Sequence, residues 1–306
     1  MRKAFIETIV DLAADDPRIV LMTGDLGFTV VEPFADRFPE RFYNVGVAEQ
    51  NMVGLATGLA EAGFRPYLYS IATFAALRPF EFIRNGPVLH RLPVRIVGVG
   101  GGYEYGPAGH THHAMEDVAV MRTQPGLAIA VPADHAQTRA AVRCTADLEG
   151  PVYLRLGKDD KTLVEGLGER FELGRLQHLR KGVDTTIIAM GPIAVAAQTA
   201  AEQLAERGVD AGVSVLASVA PPPRADIEEL VANNRFIVTV EEHVRPGGMG
   251  SLVSEIVAEM GVGRVIRVNP EDGPAQLSGS EGYLRSTRGL APEDIADAAW
   301  KLSEVI

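Results

Sequence analysis

Glu49 is the residue whose type and position most clearly indicate chemistry in this sequence. It stands where a segment of small and apolar residues begins, with Val45 before it and Leu55 after it. An ionised carboxylate is costly to bury among apolar side chains, so Glu49 must be paired, hydrogen-bonded or protonated. Such surroundings adjust a carboxyl group for proton transfer. The alternative is a glutamate in the first turn of a helix, where it satisfies backbone donors and complements the helix dipole.

The densest group of histidines, His110, His112 and His113, is a second candidate for chemistry. An imidazole titrates near neutral pH and can move protons to and from a substrate oxygen. Three imidazoles within four residues could also hold zinc, which would make the protein a metal-dependent hydrolase. The other histidines of the sequence form no second cluster, and a zinc hydrolase needs further ligands, so this alternative is weakly supported.

Two further segments lie at the ends of predicted strands. Phe74 and Phe80 follow a predicted strand at residues 65–71, where a ring can stack on a flat heterocycle or simply join the core. The glycine-rich residues 98–106 do not fit G-x-G-x-x-G, and no helix follows them directly, so a nucleotide-binding fingerprint is not supported. We expect this segment to form a flexible wall at the carboxyl end of a strand, where open α/β sheets place ligands.

Short apolar runs alternate with helical patterns along the chain, which indicates parallel sheets covered on both faces by helices. In the first half, strands are predicted at residues 19–22, 65–71, 94–99, 128–131 and 152–156, and helices at 2–14, 50–62, 79–90 and 135–147. In the second half, strands are predicted at residues 185–190, 212–216, 236–240 and 265–268, and helices at 195–206, 225–231 and 251–259. A charged, glycine-containing stretch separates the halves. We therefore predict an α/β fold with two domains, residues 1–160 and 182–306, joined by a linker at residues 161–181.

The composition is that of an ordinary globular protein. With 306 residues, 46% of them hydrophobic, the chain is long enough for two cores. The net charge of -11 argues against a nucleic-acid-binding surface, which needs clustered Lys and Arg. One cysteine excludes an internal disulfide framework and fits a reducing compartment. We find no signal-peptide core and no apolar run long enough to span a bilayer, so we expect a cytoplasmic protein without membrane contact.

The Gly-Val-Ala-Glu-Gln sequence at residues 46–50 resembles a segment of the thiamine diphosphate enzymes, in the group of transketolases, 1-deoxyxylulose-5-phosphate synthases and 2-oxoacid dehydrogenase β subunits. The two predicted domains are similar in order to the pyrimidine-binding and C-terminal domains of transketolase-like proteins. The resemblance implies that Glu49 is catalytic and binds the cofactor's aminopyrimidine, favouring the tautomer that removes a proton from thiazolium C2. It implies that Phe74, with Phe80 as a competitor, stacks on that ring, and that Asp25 lies near the cofactor.

The resemblance extends to substrate binding. Thr111-His112 is similar to a family stretch, which implies that His112 is catalytic and faces the substrate, with His113 beside it. Three basic residues fall where the family tends to hold cations for a substrate phosphate: Arg2, Arg155 and Lys158. Ala108 replaces an aspartate that usually stands four residues before the histidine. The loss removes a hydrogen bond to a sugar hydroxyl, so the substrate need not be an ordinary pentose phosphate.

The resemblance also implies a partner. Transketolase-like enzymes need a pyrophosphate-binding domain, in which a Gly-Asp-Gly sequence and a downstream asparagine hold Mg²⁺ and the cofactor diphosphate, and we do not find that pair in this sequence. We therefore expect half of a split enzyme, with the metal and diphosphate site on an N-terminal-half subunit. Gly54 and Gly58, on one face of a predicted helix, require a close contact. That contact is either self-association through the pyrimidine-binding domain or packing inside one domain.

The implied activity is that of a transketolase-like transferase (EC 2.2.1 type), which moves a two-carbon ketol unit from a ketose phosphate to an aldehyde. One alternative is a 2-oxoacid decarboxylating carboligase or dehydrogenase β subunit, which shares the segment around Glu49 and passes an acyl group onward. Another is a noncatalytic assembly subunit that keeps the fold without the chemistry.

Overall fold

The computed structural model describes residues 1–270, 273, 275 and 277–303, which form two open sheets flanked by helices. The strands in this part of the chain are β1 Ile19–Thr23, β2 Phe42–Asn44, β3 Arg65–Ile71, β4 Arg95–Val99, β5 Ala128–Ala130, β6 Val152–Leu156, β7 Gln177–Arg180, β8 Thr185–Met190, β9 Ala211–Val215, β10 Ser218–Ala220, β11 Phe236–Glu241 and β12 Val265–Val268. The α-helices are α1 Arg2–Asp15, α2 Glu32–Arg37, α3 Glu49–Glu61, α4 Ala72–Leu77, α5 Phe80–Ile83, α6 Asp117–Arg122, α7 His135–Ala146, α8 Ala194–Glu206, α9 Arg224–Asn233, α10 Met249–Met260, α11 Glu281–Thr287 and α12 Pro292–Ser303.

The first sheet has seven strands in the order β10-β5-β6-β4-β3-β1-β2, and all of its pairs except β10 with β5 are parallel. Its central strands are buried on both faces, which explains their continuous apolar sequences. Helix α1 buries Phe5 and Ile9 against this sheet, and the Phe5 ring stacks on Tyr69 of β3 with the centroids 5.8 Å apart. The prediction of a mainly parallel α/β sheet in the first half is therefore confirmed.

The second sheet has five strands in the order β12-β11-β8-β9-β7. The β8, β9, β11 and β12 pairs are parallel, as predicted, whereas β7 runs antiparallel to β9 at the edge. Strand β7 lies inside the stretch that we predicted to be a linker. Its register shifts between His178 and Arg180, and its burial does not alternate, so the sequence carries no clear strand pattern there.

Strand β10 joins the two halves of the chain. It follows β9 of the second sheet, yet it pairs with β5 of the first, with Ser218 opposite Ala130. Val131 N donates to Ala217 O at 2.7 Å beside this pair. We did not predict β10, because three residues are too few to show a period of two.

The predicted helix at residues 79–90 is broken. Helix α5 ends at Ile83, and a π-helical turn, Arg84–Val88, follows it. Pro87 has no N–H to donate to a regular α-helical ladder, and Leu89 N instead donates to Arg84 O at 3.1 Å. The proline therefore accounts for the irregular turn.

The carboxyl ends of parallel strands lie along one edge of the first sheet. The segments that follow β1, β3, β4 and β6 carry Asp25, Phe74, His112 and Lys158 respectively. This edge is where open α/β sheets hold ligands, so the topology brings the predicted site residues to one side of the molecule. None of the helices in the described part of the chain has the length and apolar content needed to cross a bilayer.

Candidate active site

Glu49 is the first residue of α3 and is 1% exposed. Its Oε1 accepts a hydrogen bond from Ser70 Oγ at 3.1 Å, and its Oε2 accepts one from Arg78 Nη1 at 3.0 Å. The start of α3 has no side-chain cap, so Glu49 does not serve its own helix in that way. The carboxylate is directed instead at the end of β3 and at α4, which argues against the capping interpretation.

Two turns place Glu49. Gly46, three residues before the helix, has a φ of 73°, a conformation that favours glycine. At Gly24 a Cβ would lie 3.4 Å from Glu49 Oε1, so the backbone after β1 passes within van der Waals reach of the carboxylate. Both turns therefore lie beside Glu49.

Asp25 lies beside these turns. Asn44 Nδ2 donates to Asp25 Oδ1 at 2.9 Å, while Asn44 Oδ1 accepts from the backbone N–H of Asp25 at 3.1 Å and of Gly46 at 3.0 Å. Asp25 adopts a φ of 58°, which is uncommon for a residue with a side chain. The pair therefore ties the segment after β1 to the segment that leads into Glu49.

Phe74 on α4 is half-buried and contacts two other candidate groups. The guanidinium carbon of Arg78 lies 3.8 Å from the centroid of the Phe74 ring. The ring of His112 meets Phe74 edge to face, with the centroids 5.1 Å apart and an interplanar angle of 69°. Phe80 begins the next helix, α5, and is not part of this ring cluster. The geometry favours Phe74 over Phe80 as a stacking surface near Glu49.

His112 continues the cluster towards the predicted phosphate-binding residues. Its Nδ1 lies 2.9 Å from Thr111 Oγ1, and the Tyr105 ring lies 6.2 Å from the His112 ring between centroids. Lys158 Nζ is 4.6 Å from the centroid of Tyr105, and Arg2 Nε donates to Lys158 O at 2.9 Å. Tyr105 therefore lies between the histidine and Lys158, and Arg2 is joined to Lys158.

His113 points away from this cluster. It is 2% exposed, its Nε2 lies 3.2 Å from Gly106 O, and its ring packs edge to face on Tyr103 with the centroids 5.3 Å apart. Burial lowers the pKa of His113 below its usual value. We predicted a substrate contact for His113, but its placement is that of a core residue, because its ring is directed inward.

The three neighbouring imidazoles do not converge on one point, since His112 packs on Phe74 and His113 packs on Tyr103. Among the residues that the structure describes, no group of three His, Cys, Asp or Glu side chains is arranged to hold a metal ion. The zinc hydrolase interpretation therefore gains no support from the geometry.

Arg155 is 4% exposed and is surrounded by acceptors. Its Nε donates to Asp117 Oδ2 at 2.9 Å, and its Nη2 donates to Ala114 O at 2.9 Å and to Glu242 O at 3.1 Å. Tyr153 donates to the same Asp117 oxygen at 2.7 Å. We predicted a phosphate contact for Arg155, but its guanidinium is occupied inside the protein, and we assign it a structural position.

The glycine-rich segment after β4 is closely packed. A Cβ on Gly101 would lie 2.5 Å from the guanidinium carbon of Arg155, and a Cβ on Gly102 would lie 2.6 Å from Glu242 Cβ. Gly102 also exchanges backbone hydrogen bonds with Ala114 at 2.9 and 3.2 Å. The segment that we predicted to be a flexible wall is instead packed against buried side chains, because its glycines let them approach the backbone.

A group of carboxyl residues borders the site on the side of the second domain. Burial and the charge of Glu281 raise the pKa of Glu104 to about 8, while Glu104 Oε2 accepts from Lys158 N at 2.6 Å. Burial and the charge of Glu242 raise the pKa of Glu281 to about 7. Arg285 Nη2 pairs with Glu242 Oε2 at 2.8 Å. A cavity of about 370 Å³ lies here, lined by Arg2, Glu104, Lys158, Asp159, Asp160, Lys161 and Glu281.

Comparison with known proteins identifies the relatives of this chain. Residues 1–162 match the transketolase pyrimidine-binding domain, and residues 174–295 match the transketolase C-terminal domain. The chain belongs to the transketolase family. It is 37% identical over 300 residues to a putative transketolase C-terminal section of Methanocaldococcus jannaschii. The match covers 97% of this chain and 94% of that protein.

Two further transketolase relatives are similar over nearly their whole lengths. An apulose-4-phosphate transketolase subunit of Phocaeicola vulgatus is 36% identical over 301 residues, which cover 97% of this chain and 96% of that protein. A solved structure described as a split gene transketolase, inactive β4 tetramer, is 39% identical with a TM-score of 0.89, and the match covers 98% of this chain and 97% of that one.

Membership of the transketolase family implies dependence on thiamine diphosphate, and the residues around Glu49 fit its aminopyrimidine ring. The Glu49 carboxylate is buried and directed away from its own helix, so it is placed to form a hydrogen bond with a ring nitrogen. The half-buried ring of Phe74 offers a flat apolar surface close by. These two features are a hydrogen-bonding group and a stacking platform, which are what a polar heterocycle requires.

Three residues of this candidate site were missed in the sequence. Ser70, Arg78 and Tyr105 each contact a predicted residue, but none has a type that by itself indicates catalysis. One signal was available for Arg78, which lies four residues after Phe74 and therefore on the same side of a helix. The contact between Arg78 and Glu49 joins separate elements and could not be read from spacing.

Proposed function

We propose that this chain is one subunit of a split thiamine diphosphate-dependent transketolase, which transfers a two-carbon ketol unit from a ketose phosphate to an aldehyde. The observation that supports this most strongly is a chain of contacts at one edge of the first sheet, in which Arg78 joins Glu49 to Phe74 and Phe74 packs on His112. The names of the relatives agree with the proposal, since two of them are called transketolase subunits or split transketolases.

Glu49, Phe74 and Asp25 are the residues that we assign to the coenzyme. Glu49 would hold a proton at a nitrogen of the aminopyrimidine, with Ser70 fixing the carboxylate, and Phe74 would stack on the ring. Asp25 would act through Asn44 by keeping the turn before Glu49 in place. When bound, thiamine diphosphate supplies a carbon nucleophile that can accept and pass on a ketol unit.

His112 is the residue that we assign to substrate proton transfer. An imidazole can donate or accept a proton at neutral pH, and the Thr111 hydroxyl lies at Nδ1. The other ring nitrogen, Nε2, is therefore the atom that we assign to a substrate oxygen. The edge-to-face contact with Phe74 limits the orientation of the ring.

Lys158 and Arg2 are the residues that we assign to a substrate phosphate. Both line the cavity of about 370 Å³ that lies beside Tyr105 and the carboxyl group. Their cationic heads suit a phosphate electrostatically. Raised carboxyl pKa values at Glu104 and Glu281 reduce the negative charge of the lining at neutral pH, which favours an anionic ligand.

A partner subunit would carry Mg²⁺ and bind the coenzyme diphosphate, and this chain would also self-associate. Gly54 and Gly58 on α3 are exposed, and a Cβ on either would meet nothing within 4 Å among the described residues, which supports a contact outside the domain. Three apolar side chains nearby in sequence are also exposed: Val47 at 69%, Leu55 at 47% and Phe82 at 45%. We propose that subunit contacts cover this face.

Glu49→Gln in a reconstituted pair with the N-terminal-half subunit tests the proposal. Loss of the carboxyl proton should lower kcat by at least about 100-fold, in the range usual for acid–base groups. Glu61→Gln is the matched control, because Glu61 lies on the same helix with its side chain 58% exposed. Unchanged turnover in both variants would favour a noncatalytic assembly subunit.

Product analysis separates the two catalytic hypotheses. The unaltered pair is supplied with a ketose phosphate and an aldehyde in one reaction, and with a 2-oxoacid and an aldehyde in another. We expect a chain-extended sugar from the first mixture. Carbon dioxide release in the second mixture alone would instead favour the 2-oxoacid carboligase or dehydrogenase hypothesis.

A further inference from the structure

Arg78 contacts both surfaces that we have assigned to the aminopyrimidine ring. Its Nη1 donates to Glu49 Oε2 at 3.0 Å, and its guanidinium carbon lies 3.8 Å from the centroid of Phe74. A guanidinium is planar, carries several N–H donors and stacks on aromatic faces. The Arg78 guanidinium therefore makes the two contacts that we assign to the aminopyrimidine: a hydrogen bond to Glu49 and a contact with the face of Phe74.

These two contacts place the guanidinium between the carboxylate and one face of the Phe74 ring. Two planar groups cannot stack on the same ring face and bind the same oxygen together. We propose that Arg78 competes with the coenzyme for this place, so that its side chain must swing away before the aminopyrimidine binds. The proposal rests on the proposed function of the site.

The surroundings allow Arg78 to leave. Its side chain is 39% exposed, whereas that of Glu49 is 2% exposed. Arg78 is the residue that follows the last residue of α4. An arginine that is partly exposed can turn into solvent, but its departure leaves the buried Glu49 carboxylate, among the described side chains, with Ser70 as its hydrogen-bond partner. Arg78 therefore keeps the carboxylate paired until another donor replaces it.

Calorimetric titration of the reconstituted pair with thiamine diphosphate at fixed Mg²⁺ tests the proposal. Arg78→Ala should lower the Kd of the coenzyme by about tenfold, or about 1.4 kcal/mol, because no side chain has to be displaced. Arg84→Ala is the matched control, since Arg84 is an exposed arginine that donates to Asn85 rather than to the site. An unchanged or higher Kd in Arg78→Ala would overturn the competition.

Failure of the proposed function gives a different result. If the unaltered pair binds no thiamine diphosphate, both the assignment of the site to the coenzyme and the proposed competition by Arg78 are wrong. If the unaltered pair binds the coenzyme and Arg78→Ala binds it less tightly, the coenzyme assignment stands and Arg78 is a favourable coenzyme contact instead.

Thermal melting provides a second measurement without turnover. Without coenzyme, Arg78→Ala should melt at a lower temperature than the unaltered pair, because Glu49 loses a partner. The rise in Tm on adding coenzyme should be larger in Arg78→Ala than in the unaltered pair. Should Arg78→Ala fail to fold, Arg78→Lys keeps the charge and removes the planar group, and the same comparison applies. Equal rises in Tm would contradict the proposal.

Discussion

Arg155 and Asp117 form an ion pair that is enclosed between the two domains. The distance from Nε to Oδ2 is 2.9 Å, and the side chains are 4% and 0% exposed. Arg155 also donates to the backbone carbonyl of Glu242, at the end of a strand of the second domain. One buried arginine therefore fixes the segment that carries the histidines against the neighbouring domain.

Arg155→Met should destabilise the protein by about 3–5 kcal/mol, because Asp117 would stay buried without its cation. Arg143→Met is the control, since its pair with Asp11 is exposed and should contribute less than about 1 kcal/mol. Guanidinium chloride unfolding of both variants measures the difference. Normal unfolding of Arg155→Met together with a raised KM for phosphorylated substrates would restore the phosphate role that we first predicted.

Lys158→Gln should raise the KM for a phosphorylated donor by about tenfold and leave kcat nearly unchanged, because the lost interaction is a binding contact to phosphate. An unphosphorylated donor should show no such change. Lys181→Gln, an exposed lysine beyond β7, is the control. Equal changes in KM for both donors would exclude a phosphate contact for Lys158.

Glu104 should make stability depend on pH. Its folded pKa of about 8 lies above the ordinary 4.5, so between these values the unfolded state binds fewer protons than the folded state. The contribution of Glu104 to the free energy of unfolding is therefore fully present below pH 4.5 and is lost as the pH rises to about 8. Glu104→Gln, which stays neutral, should show a smaller fall in Tm between about pH 5 and about pH 8 than the unaltered protein.

The control for this pH dependence is Glu229→Gln, whose glutamate is exposed and should not alter the slope. Glu281, with a pKa raised to about 7, should leave part of the slope in Glu104→Gln. Identical slopes in the three proteins would show that Glu104 ionises normally in the folded state.

Gly58→Ala should stabilise the isolated chain by up to about 1 kcal/mol, because alanine has the higher helix propensity and the new methyl group meets none of the residues that the structure describes. The same methyl group should weaken self-association if α3 packs closely on another subunit. Sedimentation velocity measures the assembly, and Gly282→Ala in α11 is the control, since a Cβ there also meets nothing. Unchanged assembly would place the subunit contact elsewhere.

The sequence predicted the parallel part of the fold well. Strands such as β3 and β8 are mostly buried along their length and rich in apolar, β-branched or aromatic residues, so their bounds could be predicted to the residue. The edge strands β2, β7 and β10 were not predicted, because they have only three or four residues each. Strands β7 and β10 also pair antiparallel with strands that are distant along the chain. Their pairing depends on tertiary contacts rather than on a local pattern.

The candidate site could be predicted in part. The position of Glu49 in an apolar segment indicated a buried carboxylate that must be paired or hydrogen-bonded, and the structure shows it buried with Ser70 and Arg78 as partners. Arg78 in turn lies over Phe74. The inward direction of His113 could not be predicted, since adjacent residues in a turn point to different sides. The burial of Arg155 could not be predicted either, because Asp117 lies 38 residues away along the chain.

Strand β10 also constrains the order of events during synthesis. The first sheet obtains its last strand from residues Ser218–Ala220, long after the ribosome has made β6. Domains usually fold as they emerge, starting from the N-terminus. The edge of β5 therefore stays unpaired until β10 has been synthesised. A fragment released before β10 is made would expose the unpaired backbone groups of β5.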